Sequence, residues 1–231
     1  MKVLEIENLK KSYLSPEGER HDIVNVSYFS LGAGDQLALA GESGSGKTTF
    51  LNLIAGILKP DEGDVTLAGQ HLPTLSEGQR DLLRARSLGY IFQTFNLLQG
   101  YTALENVKLG MMFGRGVDAS YAASLLERVG LKARLNYLPR QMSVGQQQRV
   151  AVARALANHP KLVLADEPTG HLDPVRAMES LTLIRQICRE NGAALLLVSH
   201  DKEILAKFER VENLNRINRV PAMAGSGGKW K

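Results

Sequence analysis

The chain has 231 residues, a formal net charge of +4 and one cysteine, with 44% hydrophobic and 23% charged residues, which is ordinary globular composition. That length suits one large α/β domain or a domain with an inserted lobe, and the charge is too slight to imply nucleic acid while suiting work beside an anionic membrane surface. Cys188 alone leaves no disulfide framework or thiolate metal site, no apolar run approaches the ~20 residues of a membrane span, and residues 1–5 alternate like a strand rather than a secretory leader, so a soluble, cytosolic protein is expected.

Residues 1–40 read as strands. Val3, Ile6 and Leu9 lead to Lys10, Lys11, Ser12 and Tyr13. The Tyr13 ring lies upstream of a glycine-rich stretch, where it either stacks on a base or packs locally. Ser15-Pro16-Glu17-Gly18-Glu19 is a turn cluster. Val24, Val26, Tyr28 and Phe29 begin a second strand, and Gly32-Ala33-Gly34-Asp35 turns into the short apolar run Leu37-Ala38-Leu39-Ala40.

Gly41-Glu42-Ser43-Gly44-Ser45-Gly46-Lys47-Thr48, followed by Thr49, reads G-x-x-x-x-G-K-T, the phosphate-binding loop pattern. Glycines let successive N–H groups turn inward around a polyphosphate where a Cβ would clash. The helix expected over residues 48–57, with Phe50, Leu51, Ile54 and Ile57 at helical spacing, aims its N-terminal dipole at the anion. Lys47 adds a full positive charge to the outer phosphates, and the Thr48 hydroxyl is placed to ligate Mg²⁺.

Residues 59–64 break the chain, and Val65-Thr66-Leu67-Ala68 is a strand. Ser76 caps a helix to about Arg86, and Leu88-Gly89-Tyr90-Ile91-Phe92 is a strand ending on Gln93. Residues 94–158 turn helical without strands. Thr102 and Glu105 form a capping box, Asp118 caps a helix stopped by Gly130, and Ser143 opens another. This is a helical insertion in an α/β core. Leu162-Val163-Leu164-Ala165 returns as a buried parallel strand. Asp173-Pro174 starts a helix that stops at Asn191-Gly192 and carries Cys188 on its apolar face. Residues 194–199 form one more buried strand before His200, and residues 201–208 a last short helix. Residues 1–220 are read as one domain; the Gly/Ser-rich, basic stretch 221–231 is expected to be a flexible tail.

The apolar strand at Leu162 ends in two acids, Asp166 and Glu167. In a phosphate-loop ATPase the first sits near the metal and the second polarises water as a general base. Met142-Ser143-Val144-Gly145-Gln146 stands at a helix start before that strand. At this point the sequence resembles the nucleotide-binding subunits of ABC transporters, whose signature usually reads Leu-Ser-Gly-Gly-Gln. Met142 and Val144 depart from it, while Ser143, Gly145 and Gln146 agree. Gln93 resembles the Q-loop glutamine, Gly170-His171-Leu172-Asp173 the D-loop with His171 where Asn is common, and His200 the switch histidine. Details such as Ala165-Asp166-Glu167-Pro168-Thr169-Gly170 and Thr102-Ala103-Leu104-Glu105-Asn106-Val107 resemble the lipoprotein-releasing and macrolide-exporter ATPases.

The resemblance implies a P-loop α/β fold with a mostly parallel central sheet, an N-terminal antiparallel β lobe and an inserted helical subdomain. It implies ATP hydrolysis with Mg²⁺ that powers a separate membrane permease. Tyr13 then stacks on adenine; Gly41 to Thr49 hold phosphates; Thr48, Gln93 and Asp166 hold the metal; Glu167 is the base; and His200 orients the γ-phosphate. Ser143, Gly145 and Gln146 meet nucleotide held by a second copy. The partners implied are that second copy, integral membrane permease subunits and, through them, a periplasmic adaptor, at the cytoplasmic face of a bacterial inner membrane. The alternatives are a cell-division regulator with a non-transporting membrane partner, or a soluble DNA-repair ATPase. The latter would carry sustained heptads or paired cysteines, and neither appears.

Overall fold

A computed structural model describes residues 1–42 and 44–220; Ser43 of the glycine-rich loop and the 221–231 tail lie outside them. The first sheet is antiparallel, in the order β2-β1-β4-β5. It is built from β1 (Lys2–Leu14), β2 (Arg20–Gly32), β4 (Glu62–Leu67) and the two-residue β5 (Gln70–His71). β1 lies between β2 and β4, so both its edges are paired. Leu4 and Ile6, two residues apart, share one buried face with Val24, Val26, Val65 and Leu67.

The second sheet is parallel, in the order β6-β7-β8-β3-β9. Its strands are β3 (Gln36–Ala40), β6 (Leu88–Ile91), β7 (Leu162–Asp166), β8 (Ala194–Ser199) and β9 (Arg210–Asn213). Every residue of β7 and β8 is buried, as a parallel strand covered on both faces requires. Their side chains alternate between two cores. Leu162, Leu164, Leu196 and Val198 pack with Phe50 and Leu51 of α1 (Lys47–Ile54) and with the antiparallel sheet. Val163, Ala165, Leu195 and Leu197 face the other core, shared with the helices. Truncating a central residue such as Leu164 to alanine should cost roughly 2–5 kcal/mol.

The helices follow their sequence signals. α2 (Glu77–Ser87) and α3 (Ala103–Met112) start at complete capping boxes on Ser76/Gln79 and Thr102/Glu105. Asp118 caps α4 (Ala119–Arg128), and Asp173 caps α6 (Pro174–Glu190) with Pro174 in its first turn. α5 (Val144–Ala155) starts at Ser143. Val107, Met111, Leu125, Leu126 and Val150 join α3, α4 and α5 into one core with Ile91, Val163 and Leu181. The inserted lobe is therefore continuous with one face of the parallel sheet. Cys188 is buried in that core, and burial pushes its thiol up to about 12.

The sequence reading is corrected in four places. α1 ends at Ile54 because Gly56 takes φ +64° after the Ala55 cap; Ile57 is outside the helix and exposed. β2 and β4 begin earlier than expected, since Arg20–Asp22 and Glu62–Asp64 are extended by pairing with β1 rather than by apolar alternation. The helix after His200, α7, spans only Lys202–Leu205. Beyond it lie β9, paired with β3, and α8 (Leu214–Ile217), neither of which was anticipated.

Candidate active site

The ends of β3, β7 and β8 lie side by side, and the loops that leave them carry most of the predicted site. In open α/β sheets ligands bind beyond these carboxyl ends. The loop after β3 turns on Gly44 and Gly46, at φ +81° and +88°, which only glycine adopts without strain. A Cβ on Gly46 would come within 2.9 Å of the Ile23 carbonyl oxygen, and one on Gly41 within 2.8 Å of the Ser45 hydroxyl. The loop is thus wedged between the β2 backbone and its own side chains.

Lys47 is buried, and its Nζ donates to the carbonyls of Gly41 and Glu42, both at 2.8 Å. The same ammonium is 3.5 Å from Oε1 of Glu167. Ser45 Oγ is buried and, among the described residues, has no hydrogen-bond partner, leaving it available to a ligand. Glu42 and Gly44 are exposed at the loop surface, and Thr49 is half-buried in the first turn of α1.

Thr48 Oγ1 donates to Asp166 Oδ2 at 2.8 Å. Burial raises the pKa of Asp166; the neighbouring Glu167 charge adds to this, while the Thr48 hydroxyl and Lys47 oppose it. A hydroxyl and a desolvated carboxylate side by side are the hard-oxygen pair Mg²⁺ uses when phosphates supply other ligands. These residues therefore fit Mg²⁺. Among the described residues no cluster of three or more His, Cys, Asp or Glu side chains forms a complete metal site of its own.

Glu167 has φ +45°. A glutamate in left-handed backbone costs about 1–3 kcal/mol, and such strain collects at functional sites. Here the surroundings impose it. Its N–H donates to Val198 O at 3.0 Å, and its carbonyl accepts from Gly170 at 3.1 Å. The buried carboxylate lies 2.7 Å from His200 Nδ1 through Oε1 and accepts from Ser199 Oγ through Oε2 at 3.4 Å. His200 itself is largely exposed.

Gln93 is exposed in the turn after β6. Its amide nitrogen is 3.7 Å from where a Cβ on Gly170 would stand, beside the segment that follows Glu167. Tyr13, 43% exposed at the end of β1, has the Lys11 ammonium 5.7 Å from its ring centre.

Ser143 caps α5: its hydroxyl accepts from Gln146 N, and Gln146 Oε1 accepts from Ser143 N. This box occupies the N–H groups of Ser143 and Gln146. The N–H groups of Val144 and Gly145 and the Ser143 hydroxyl proton remain for an outside acceptor. Val144 is 45% exposed, and a Cβ on Gly145 would meet nothing within 4 Å. Among the described residues no hydrogen bond links Ser143 to Lys47, Asp166 or Glu167. Two contributors were not anticipated: Ser199 on Glu167, and Gln148, whose buried amide donates to the carbonyl of Pro168. Ser199 was findable as the neighbour of His200, and Gln148 as a polar residue on an apolar helix face.

A glycine loop with its lysine at the carboxyl edge of a parallel sheet, facing two acids on the next strand but one, defines a nucleotide-hydrolysing P-loop domain. The ABC transporter family profile matches residues 24–170, and the chain belongs to that family, as an ATP-binding and ATP-hydrolysing subunit. It is 44% identical over 216 residues to the lipoprotein-releasing system ATP-binding protein LolD of Pseudomonas syringae pv. tomato, covering 92% of this chain and 94% of that one. It is 42% identical to the macrolide export ATP-binding/permease protein MacB of Rhodopirellula baltica, over 90% of this chain and 31% of that longer protein. Among solved structures it matches the dimeric ATP-binding cassette MJ0796 in a post-hydrolysis state bound to ADP and Pi. The TM-score there is 0.82 and the identity 34%, covering 91% of this chain and 93% of that one. The family resemblance and the fold read from the sequence are borne out, and neither alternative is favoured.

Proposed function

We propose that this subunit drives a membrane permease of the lipoprotein-release or efflux type from the cytoplasmic side of a bacterial inner membrane. The observation that carries the chemical part is the convergence of Lys47, Thr48, Asp166, Glu167 and His200 beyond three adjacent parallel strands. Lys47 and the loop N–H groups bind the phosphates of ATP, with Ser45 supplying a hydroxyl that is unpartnered among the described residues. Thr48, Asp166 and Gln93 would hold Mg²⁺, which when bound would neutralise phosphate charge. Glu167 takes a proton from the attacking water. The new bond forms at the γ-phosphorus as the bond to the β-phosphate oxygen breaks, giving ADP and phosphate. His200 holds one oxygen of Glu167 and steers the γ-phosphate. Tyr13 stacks on the base.

Two further observations support the partners. Leu98, Tyr101, Met112, Phe113 and Val117 are exposed apolar residues on the inserted lobe, suited to meet a permease, with a periplasmic adaptor beyond it. The exposed first turn of α5 suits nucleotide held by a second copy. No described helix is long and apolar enough to cross a membrane, so attachment would be peripheral.

The test joins both parts. Extraction in mild detergent should co-purify a polytopic membrane protein with this chain, and Lys47→Ala should weaken ATP binding measured by nucleotide fluorescence. Unchanged affinity in Lys47→Ala defeats the loop assignment, and isolation of the chain with only soluble partners defeats the membrane role.

A further inference from the structure

Arg154 stands in the last turn of α5, the helix that Ser143 begins, and is half-buried. Its Nη1 donates to the carbonyl of Asn96 and its Nη2 to that of Phe95, each at 2.6 Å. The stem runs against α3, where a Cβ on Gly110 would lie 3.0 Å from Arg154 Cγ. Burial lowers the pKa of the guanidinium, and among the described residues no carboxylate forms an ion pair with it. A planar fork on two consecutive carbonyls is a geometry lysine cannot reproduce.

The two carbonyls belong to an unusual pair. Phe95 and Asn96 have φ +58° and +49°, and two adjacent left-handed residues that are not glycine persist only where the surroundings over-determine them. The pair follows Gln93 by two residues. Phe95 N donates to Phe92 O at 3.1 Å and Asn96 N to Thr94 O at 2.6 Å, so Gln93 lies inside the tight turn that the pair completes. The buried Phe95 ring meets the edge of His171, centroids 6.4 Å apart, in the segment that follows Glu167. Gln148 of the same helix reaches Pro168 in that segment. One helix thus grips both the Gln93 turn and the strand exit that carries the acids.

We propose that Arg154 is a positioning residue for ATP hydrolysis: by bridging the carbonyls of Phe95 and Asn96 it holds the left-handed turn closed and so fixes where the Gln93 amide stands. Among the described residues its hydrogen bonds reach Phe95 and Asn96 and none of the phosphate loop, so its effect belongs in turnover and not in ATP affinity. This rests on the reading of Gln93 as a group that acts on the metal and the γ-phosphate.

The test is a double-mutant cycle in the full chain. Arg154→Lys keeps the charge and stem and loses the fork; Arg154→Met keeps the packing and removes every donor; either one that folds by circular dichroism suffices. The expected result is kcat lowered about tenfold or more, the range in which small misplacements of a reacting group act, with KM for ATP changed less than twofold. In a Gln93→Ala background the same substitution should lower kcat less than twofold, because the group it positions is gone. Amide exchange should quicken at residues 93–97 and stay unchanged across α3 and α5. An equal fall in both backgrounds, an unchanged kcat, or exchange quickening throughout α3 and α5 overturns the proposal and leaves Arg154 a packing residue. If Gln93→Ala alone leaves turnover intact, it is the Gln93 assignment that fails, and the local exchange result still decides whether Arg154 holds the turn.

Discussion

His200 Nδ1 lies 2.7 Å from Glu167 Oε1, and the Lys47 ammonium approaches that same oxygen at 3.5 Å. Oε1 is therefore shared between an imidazole and a cation, while among the described residues Oε2 accepts only from Ser199. The second oxygen is the one positioned to take a proton. Glu167→Gln should keep ATP binding and lower turnover by roughly 10²-fold or more, the usual size of a lost acid–base group. Phosphate release and nucleotide fluorescence on the same sample separate the two effects. Retention of most turnover moves the base to His200.

Asp166 gives a pH test. Its pKa is raised, first by burial. A carboxyl whose folded pKa lies above its unfolded value contributes stability fully present below the unfolded pKa, and that stability is lost as pH rises through the folded value. At pH 7, above the unfolded value, the chain lacks part or all of that contribution. Asp166→Asn, which keeps an acceptor for Thr48, should be more stable than the parent at pH 7, with the gain shrinking as pH falls into the carboxylate range. Urea unfolding at a series of pH values checks this. A gain that grows on acidification would contradict the sign. Turnover with Mg²⁺ should fall sharply in the same variant.

Val144 occupies the first turn of α5 with its side chain exposed, and its backbone is ordinary right-handed helix, which valine tolerates. Val144→Gly should lower stability by up to ~1 kcal/mol. If the side chain crowds a phosphate from the second copy, turnover should rise. Flat turnover assigns Val144 to the helix start alone, and a collapse reveals a contact made only in the dimer.

The shared-site arrangement is tested by mixing inactive variants. If Ser143 serves nucleotide held by Lys47 of another copy, Lys47→Ala and Ser143→Arg homodimers each have two broken sites. In the mixed dimer both defects fall in one site and the other is native, by the symmetry of a two-fold interface. Titrating one variant into the other should restore about one occluded ATP per mixed dimer. Proven mixing with no occluded nucleotide would mean that each chain completes its own site.

Much of this was legible because the signals are local. The glycine loop, the caps at Ser76, Thr102, Asp118, Ser143 and Asp173, and the apolar runs of β7 and β8 each announce an element within a few residues. What escaped is set by tertiary partners. Arg210–Asn213 is polar apart from Val211 and largely exposed, and is a strand only because β3 offers an edge. Asn96 is a type that tolerates the left-handed region, but nothing in the residue type marks Glu167 or Phe95 as left-handed. The Ser143/Gln146 box was readable from S-x-x-Q spacing, and recognising it shows in advance that two N–H groups at that helix start are occupied.

β9 has a consequence for the order in which this molecule can be made. β3, which feeds the phosphate loop, has β8 on one side and β9 on the other, so both its neighbours come from the last quarter of the sequence. Asn218 then fastens the far side, accepting from Asn25 N and donating to the carbonyl of Ile23, the same carbonyl that abuts Gly46. During vectorial synthesis the nucleotide cradle is encoded early and seated late. Until the chain beyond residue 210 emerges, β3 presents an apolar, unpaired rim of Leu37, Ala38 and Leu39, the kind of edge that recruits other chains. The nascent subunit therefore has a long interval of exposure to misassociation, ended by a segment that never touches the chemistry.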